Sequence, residues 1–447
     1  MKIDGWLSTA ALAVPDHVAL VSGDESLTYR ELDERARTAA RRLATLGVER
    51  GNRVALLLEP SVEYVVLLHS LVKLGAVVAP LDSRFTEKEV DALLEGLEPR
   101  LVIRDLGQVR EASEAEGVDF DEDIETEQLH CVMHTSGSGG SPKPVELTYG
   151  NHLWNAIGSG VRIGVAPTDM WLCCLPLHHI GGLAIVLRSA LYRTAIVLEP
   201  FAPDRIAKAL VAQPVTIISL VPTMLARLLD AAADLAQLRC ALVGGGPAPE
   251  PLVQRALSAG VRVTPTYGLT EAASQVTTMP PGEAGSKAGS SGPPILTTEV
   301  RIDDGGRICV RGPSVAQDQL GEDGWLRTSD LGRLDEDGYL YVLGRHDEVI
   351  VSGGENVSPE EVERVLLEHP RVTDAGVAGV EDAEWQQAVV ASVVLADGAQ
   401  VSEEELRDFC RERLAGFKVP KSIAFVSELP RNEQGKLLRR DLAKRLP

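Results

Sequence analysis

The run His134-Thr-Ser-Gly-Ser-Gly-Gly-Ser-Pro-Lys143 alternates short hydroxyl side chains with glycines and closes on a lysine. Glycines let backbone N–H groups converge on one spot, Ser and Thr add donors, and lysine adds positive charge, a combination suited to holding a polyphosphate. It is not a Walker A loop. Pro142 stands where that loop has its second Gly, and Pro144 where it needs Ser or Thr. Prolines on both sides of Lys143 also forbid the helix that follows a Walker A turn, so an extended segment, Val145–Thr148, is expected instead. Taken alone, the run reads equally well as a flexible surface linker.

More polar and glycine-rich stretches follow downstream: Tyr267-Gly-Leu-Thr-Glu271, Gly324-Trp-Leu-Arg-Thr-Ser-Asp330, Gly344-Arg-His-Asp347, Ser352-Gly-Gly-Glu-Asn356 and Asn432-Glu-Gln-Gly-Lys436. Singly, each has a plain reading: Asp330 as a turn aspartate, Glu271 as a solvated charge, Lys436 as a solvent-facing lysine near the C-terminus. Together with the 134–143 run, their order and spacing resemble the adenylate-forming superfamily of acyl-CoA synthetases, luciferases and peptide-synthetase adenylation domains. The resemblance covers essentially the whole chain.

That resemblance implies a reaction. A carboxylate is a poor electrophile; joined to AMP it gains a good leaving group, and pyrophosphate departs. Charge gathers at the α-phosphoryl in the transition state, so fixed cations, donors and Mg²⁺ should dominate catalysis. A thiol, coenzyme A, then attacks the carbonyl and expels AMP. By resemblance, Thr135, Ser136, Gly137, Ser138 and Lys143 grip the β- and γ-phosphates of ATP. Gly244, Gly245, Gly246 and Pro247, with Tyr267 and Gly268, form the adenine pocket. Thr270 contacts the α-phosphate, Glu271 holds the metal, Asp330 takes the ribose hydroxyls, and Arg345 adds a nucleotide contact. Lys436 is the implied catalytic cation, Asp347 the hinge, and Gly353 and Gly354 the lining of the pantetheine channel.

Within the superfamily, Thr148-Tyr-Gly-Asn-His152, Trp171-Leu-Cys-Cys-Leu-Pro-Leu-His-His-Ile-Gly-Gly182 and Gly268-Leu-Thr-Glu-Ala-Ala-Ser-Gln275 look most like the o-succinylbenzoate–CoA ligases of menaquinone synthesis. The implied substrate is an aromatic dicarboxylate, bound in an apolar slot that ends in polar donors. His179 and Gly182 (beside Gly181) would line that slot, with Ser274 and Gln275 at its floor. Arg188 is expected on a helix surface, with an alternative role of offsetting the second carboxylate. The adjacent His178 and His179 are not read as a metal site, because neighbouring side chains diverge. Two departures from the family pattern stand out. Gly139 and Ser141 replace a Thr and a Lys of the phosphate loop, which bears on ATP affinity rather than nucleotide identity. Around Trp385, Trp-Gln-Gln replaces Trp-Gly-Gln. Alternatives at this stage are a fatty or aryl acyl-CoA synthetase, an adenylation enzyme loading a carrier protein, and a non-catalytic nucleotide-binding homologue.

Elements to position these residues are legible. Thr28-Tyr-Arg-Glu31 is a capping box opening a helix with Leu32, Ala36, Ala39, Ala40 and Leu43 on one side, stopped by Gly47. Strands at Val54–Leu58, Ala76–Ala79 and Leu101–Ile103 alternate with helices at about 61–74 and after Thr86. The rhythm returns with Thr216–Val221, and with Ala241–Val243 running into Gly244-Gly-Gly246. A glycine turn at the carboxyl end of a strand is where open α/β sheets bind nucleotides, although it also serves as a plain tight turn. The fold expected is α/β. A large N-terminal domain, 1–344, holds two doubly wound subdomains plus a small β-barrel or antiparallel sheet at about 285–341. A smaller, mobile α+β domain, 345–447, follows.

Composition narrows the partners. The 447 residues carry a formal net charge of −21 and a pI near 4.9, which argues against nucleic acid and anionic lipid. No long apolar run suggests a spanning helix, and Met1–Trp6 lacks the apolar core of a secretory signal. Cys131, Cys173, Cys174, Cys240, Cys309 and Cys410 form no C-x-x-C pair, which fits free thiols in the cytoplasm better than disulfides or zinc. Family analogy adds a homodimer.

Overall fold

Short runs of Val, Ile, Leu and Ala between capped helices build the fold, seen here in a computed structural model. It describes residues 1–120, 123–135, 143–246, 248, 250–345, 350–357, 359–396, 398–430, 439 and 442, without the side chains of 251, 343–345, 360 and 364. Local signals behave as chemistry dictates. Thr28 accepts from Glu31 N while Glu31 returns to Thr28 N at 2.8 Å, opening the helix Tyr29–Thr45. Ala36, Ala40 and Leu43 form its buried stripe. Ser61 caps Val62–Lys73, and Thr86 and Glu89 exchange the same reciprocal bonds ahead of Glu87–Leu97.

Contacts divide the chain into two compact units. The first comprises Met1–Ser83, Glu98–Met133 and Pro144–Gly344; the second comprises Arg84–Leu97, His134–Lys143 and Arg345–Pro447.

The larger sheet of the first unit has eight strands. Its order is Ser274–Thr278, Val263–Leu269, Cys240–Val243, Ile217–Leu220, Met170–Cys173, Ala195–Leu198, Val18–Ser22 and Glu25–Thr28. The six inner strands are parallel and the two edges antiparallel. Four of those inner strands are buried at every position, as helices on both faces require. A five-stranded sheet runs Leu101–Ile103, Arg53–Leu56, Val77–Pro80, Leu129–Thr135 and Lys143–Thr148, its first four strands parallel. Lys143–Thr148 is therefore extended, as its prolines predict. The small β unit is a four-stranded antiparallel sheet in the order Glu299–Ile302, Arg307–Arg311, Leu326–Leu334, Leu340–Arg345.

In the second unit, the long hairpin Val372–Asp382 and Gln386–Leu395 packs against the helices Pro359–Leu367 and Glu403–Arg411. Val362, Leu366, Val377, Val389, Leu406 and Cys410 make up its core. Lys418 is buried between Glu361 at 2.8 Å and Glu89 at 3.1 Å, the pairing that a desolvated ammonium requires.

Buried imidazoles near the centre of the first unit give the fold an acid limit. Burial, then the Lys73 ammonium, holds His69 down at about 4, and burial, then His69, holds His130 at about 3. An unfolded histidine titrates near 6.5, so below that pH the unfolded chain takes up protons that the folded one refuses. Stability is complete above about 6.5 and falls as pH drops towards 4. At pH 5 the loss is about 2 kcal/mol for each of the two histidines. Urea unfolding at pH 7.5 and 5.0 should show the midpoint falling; an unmoved midpoint would contradict this assignment.

Candidate active site

Parallel strands all point the same way, so the loops that follow them gather at one edge of the eight-stranded sheet. Gly244–Gly246 follow Cys240–Val243, the turn Thr270–Ala272 follows Val263–Leu269, and the Cys174–His179 segment follows Met170–Cys173. Three strand spacings separate the outermost of these strands, roughly 14 Å.

Gly244 packs so closely on Thr266 that a Cβ would lie 2.6 Å from its Cγ2, and Gly245 takes a φ of +76°. Bare backbone is thus required at this wall. Beside it, the Tyr267 hydroxyl donates to Asp330 Oδ2 at 2.8 Å. Burial, then the Asp330 charge, holds the phenol well above its ordinary range, so it remains a donor. Asp330 N donates to Thr328 Oγ1 at 3.0 Å, which sets the carboxylate on its strand. The sequence-predicted adenine and ribose residues therefore meet directly.

The next turn is unusually tight. A Cβ on Gly268 would stand 2.0 Å from Ser274 O, and the ladder bulges between Tyr267 and Gly268. Ala273 and Ser274 both take positive φ, of 54° and 116°, conformations that non-glycine residues hold only when their surroundings enforce them. Ala316 N donates to Glu271 O at 2.8 Å, tying the turn to the segment leading from the small sheet. Thr270 and Glu271 are half-buried, Ser274 heads the edge strand, and Gln275 is buried with its amide donating to Thr278 Oγ1 at 2.7 Å.

The enforcing groups were not singled out from the sequence. Thr148 and Asn151 form a capping box on the helix Tyr149–Ile163, and Asn151 Nδ2 also donates to Pro313 O and Val315 O, each at 3.0 Å. One turn on, Asn155 donates to Ala272 O at 2.9 Å and Gln275 O at 2.8 Å. The stretch Thr148–His152 served the sequence reading only as a resemblance; physically, it begins the network that pins the Thr270–Ala272 turn. Two buried amides four residues apart on one helix, Asn151 and Asn155, were the available signal.

Arg188 corrects the expectation of a surface arginine. It is 3% exposed on the helix Ile180–Tyr192, its Nη2 donates to Asn155 Oδ1 at 2.6 Å, and its guanidinium lies 5.9 Å from the Trp171 ring. Among the described residues no carboxylate neutralises it. His179 is the N-cap residue of the same helix, its ring 4.5 Å from that of His178, and His178 Nε2 lies 3.3 Å from Asp82. A Cβ on Gly182 would meet Pro176 O at 2.3 Å, so this glycine is needed by the loop itself.

Thr135 and Lys143 flank the phosphate-loop run, Thr135 Oγ1 donating to Lys143 O at 3.5 Å. Ser136, Gly137, Ser138, Pro247, Asp347 and Lys436 lie outside the described residues, as does the side chain of Arg345. In the second unit, Gly353 and Gly354 have φ of +61° and +85° and join Ile350–Ser352 to Glu355–Val357 as a two-residue hairpin turn. A Cβ on Gly353 would also strike the Trp385 ring at 2.8 Å. Of the altered Trp-Gln-Gln stretch, Gln387 accepts from Val351 N at 2.8 Å. All six cysteines are free and buried.

Comparison with known proteins gives a consistent result. A family model described as AMP-binding enzyme matches residues 7–318, and one described as AMP-binding enzyme C-terminal domain matches residues 361–436. The 2-succinylbenzoate–CoA ligase of Geobacillus kaustophilus is 41% identical over 482 residues, covering 99% of this chain and 98% of the relative. A double mutant of o-succinylbenzoate CoA synthetase from Bacillus subtilis, solved with its product analogue, has a TM-score of 0.94 at 36% identity, covering 100% of this chain and 99% of that one. The same synthetase in complex with ATP and magnesium ion has a TM-score of 0.74 at 35% identity, covering 99% of this chain and 100% of that one.

Proposed function

The chain belongs to the AMP-binding enzyme family, and we propose on that basis that it joins 2-succinylbenzoate to coenzyme A through an acyl-adenylate. In the first step, a succinyl carboxylate oxygen attacks the α-phosphorus of ATP and pyrophosphate leaves. In the second, the thiol of coenzyme A, losing its proton, attacks the acyl carbonyl and AMP leaves with the bridging oxygen.

Gly244–Gly246 and Tyr267 hold the adenine and Asp330 the ribose. Thr135, Ser136, Gly137, Ser138 and Lys143 hold the outer phosphates. Glu271 with Thr270 supplies hard oxygen donors of the kind Mg²⁺ takes, and the ion when bound offsets phosphate charge. Lys436 supplies the cation for the adenylation step. Asp347 acts as hinge between a 1–344 body and a 345–447 body, and Gly353 and Gly354 serve the pantetheine arm. Buried free thiols at all six cysteines accord with a reducing cytoplasm.

The observation that carries the choice of acid is Arg188. A buried guanidinium without a carboxylate is costly, and a second carboxylate on the substrate would supply what is missing. Asn155 links that guanidinium to the backbone of Ala272 and Gln275, beside the expected floor of the acid pocket. A pyrophosphate-release screen over carboxylic acids tests the reading. 2-Succinylbenzoate should outperform fatty and monocarboxylic aryl acids; a fatty acid in first place would replace this substrate.

A further inference from the structure

Asn155 is 1% exposed, and its carboxamide makes three hydrogen bonds, to Ala272 O, Gln275 O and Arg188 Nη2, at 2.9, 2.8 and 2.6 Å. Carbonyls only accept and a guanidinium only donates, so the amide has one possible orientation. We infer that Asn155 is a positioning residue for acid selection, its single amide fixing both the cation that receives the distal carboxylate and the turn that carries Thr270, Glu271 and Ser274. This rests on the dicarboxylate reading given above.

The residue type matters. Aspartate would fit the same space and keep the contact with Arg188, but would neutralise the guanidinium before any substrate arrived. It would also set a carboxylate against two carbonyl oxygens. Asparagine orients the cation and leaves its charge unspent. Among the described residues it is the only hydrogen-bond partner of that guanidinium, so the remaining N–H donors stay available for a bidentate carboxylate. The Trp171 ring backs the site and is itself held by its Nε1 donating to Ser219 Oγ at 3.0 Å. Loading the distal carboxylate onto Arg188 is thereby felt at the turn through one rigid amide.

The test compares wild type, Asn155→Asp and Asn155→Ser in pyrophosphate release with 2-succinylbenzoate and with 3-benzoylpropanoate, which lacks the ring carboxylate. Asn155→Asp should lower the ratio of kcat/KM for the two acids about 10–100-fold, with KM for ATP changed less than about threefold. Should Asn155→Asp fail to fold by circular dichroism, Asn155→Ser is read by the same ratio, since serine releases Arg188 without adding charge. An equal fall for both acids, the signature of a merely structural residue, would overturn the inference, as would an unchanged ratio. A wild type indifferent to the ring carboxylate would instead defeat the dicarboxylate reading. A wild type that prefers the dicarboxylate, with variants that keep that preference, would defeat the role of Asn155 alone.

Discussion

Lys436→Ala should lower acyl-adenylate formation from 2-succinylbenzoate and ATP by at least roughly 10²–10³-fold, while thioester formation from supplied acyl-adenylate and coenzyme A should persist. The first step concentrates negative charge between the α- and β-phosphoryl groups, where an ammonium has most to stabilise. The second step breaks no phosphoanhydride and has no such demand. An ordinary lysine with a pKa near 10.4 is already cationic at neutral pH, so its contribution is charge and placement. The match to the C-terminal family domain runs to residue 436, so this lysine falls within it. Single-turnover assays of the two half-reactions separate the cases. Equal loss in both would assign Lys436 to general structure instead.

Arg188→Met should lower kcat/KM for 2-succinylbenzoate by roughly 10²–10³-fold, because it would remove the protein's half of the proposed buried charge pair. Activity on 3-benzoylpropanoate should change far less, since that acid never used the guanidinium. Arg188→Lys should recover only part of the loss: an ammonium restores the charge without the planar fork that meets a carboxylate twice. Removing Arg188 also leaves Asn155 Oδ1 without its donor, a cost common to both acids. The ratio between substrates is therefore the informative quantity. A ratio unchanged in Arg188→Met would mean that the second carboxylate binds elsewhere.

Local chemistry made much of this fold readable. The reciprocal caps at Thr28/Glu31 and Thr86/Glu89 mark helix starts because an N-cap oxygen and a Glu three residues on satisfy otherwise unpaired donors. Pro142 and Pro144 exclude a helix after the glycine run, and the chain there is indeed a strand. The reading failed where partners lie far apart in sequence. Arg188 sits in an apolar run and still looks like a surface residue, because its partner Asn155 lies 33 positions upstream. Trp171, whose ring it approaches, lies on the strand Met170–Cys173, 17 positions before it. Gly353 and Gly354 show the reverse case. Ligand approach was the reason read for them, whereas a hairpin turn with two positive φ values and the Trp385 ring already demand glycine. Gly182 likewise is fixed by Pro176 O before any substrate is considered.

Isotope tracing tests the central claim most directly. 2-Succinylbenzoate labelled with ¹⁸O in its succinyl carboxylate is incubated with ATP, Mg²⁺, coenzyme A and the protein, and the nucleotide products are analysed by mass spectrometry. Attack of that carboxylate on the α-phosphorus leaves one labelled oxygen in AMP after the thiol has displaced it, with unlabelled pyrophosphate. Label in inorganic phosphate together with ADP, or thioester formed without labelled AMP, would contradict an acyl-adenylate route.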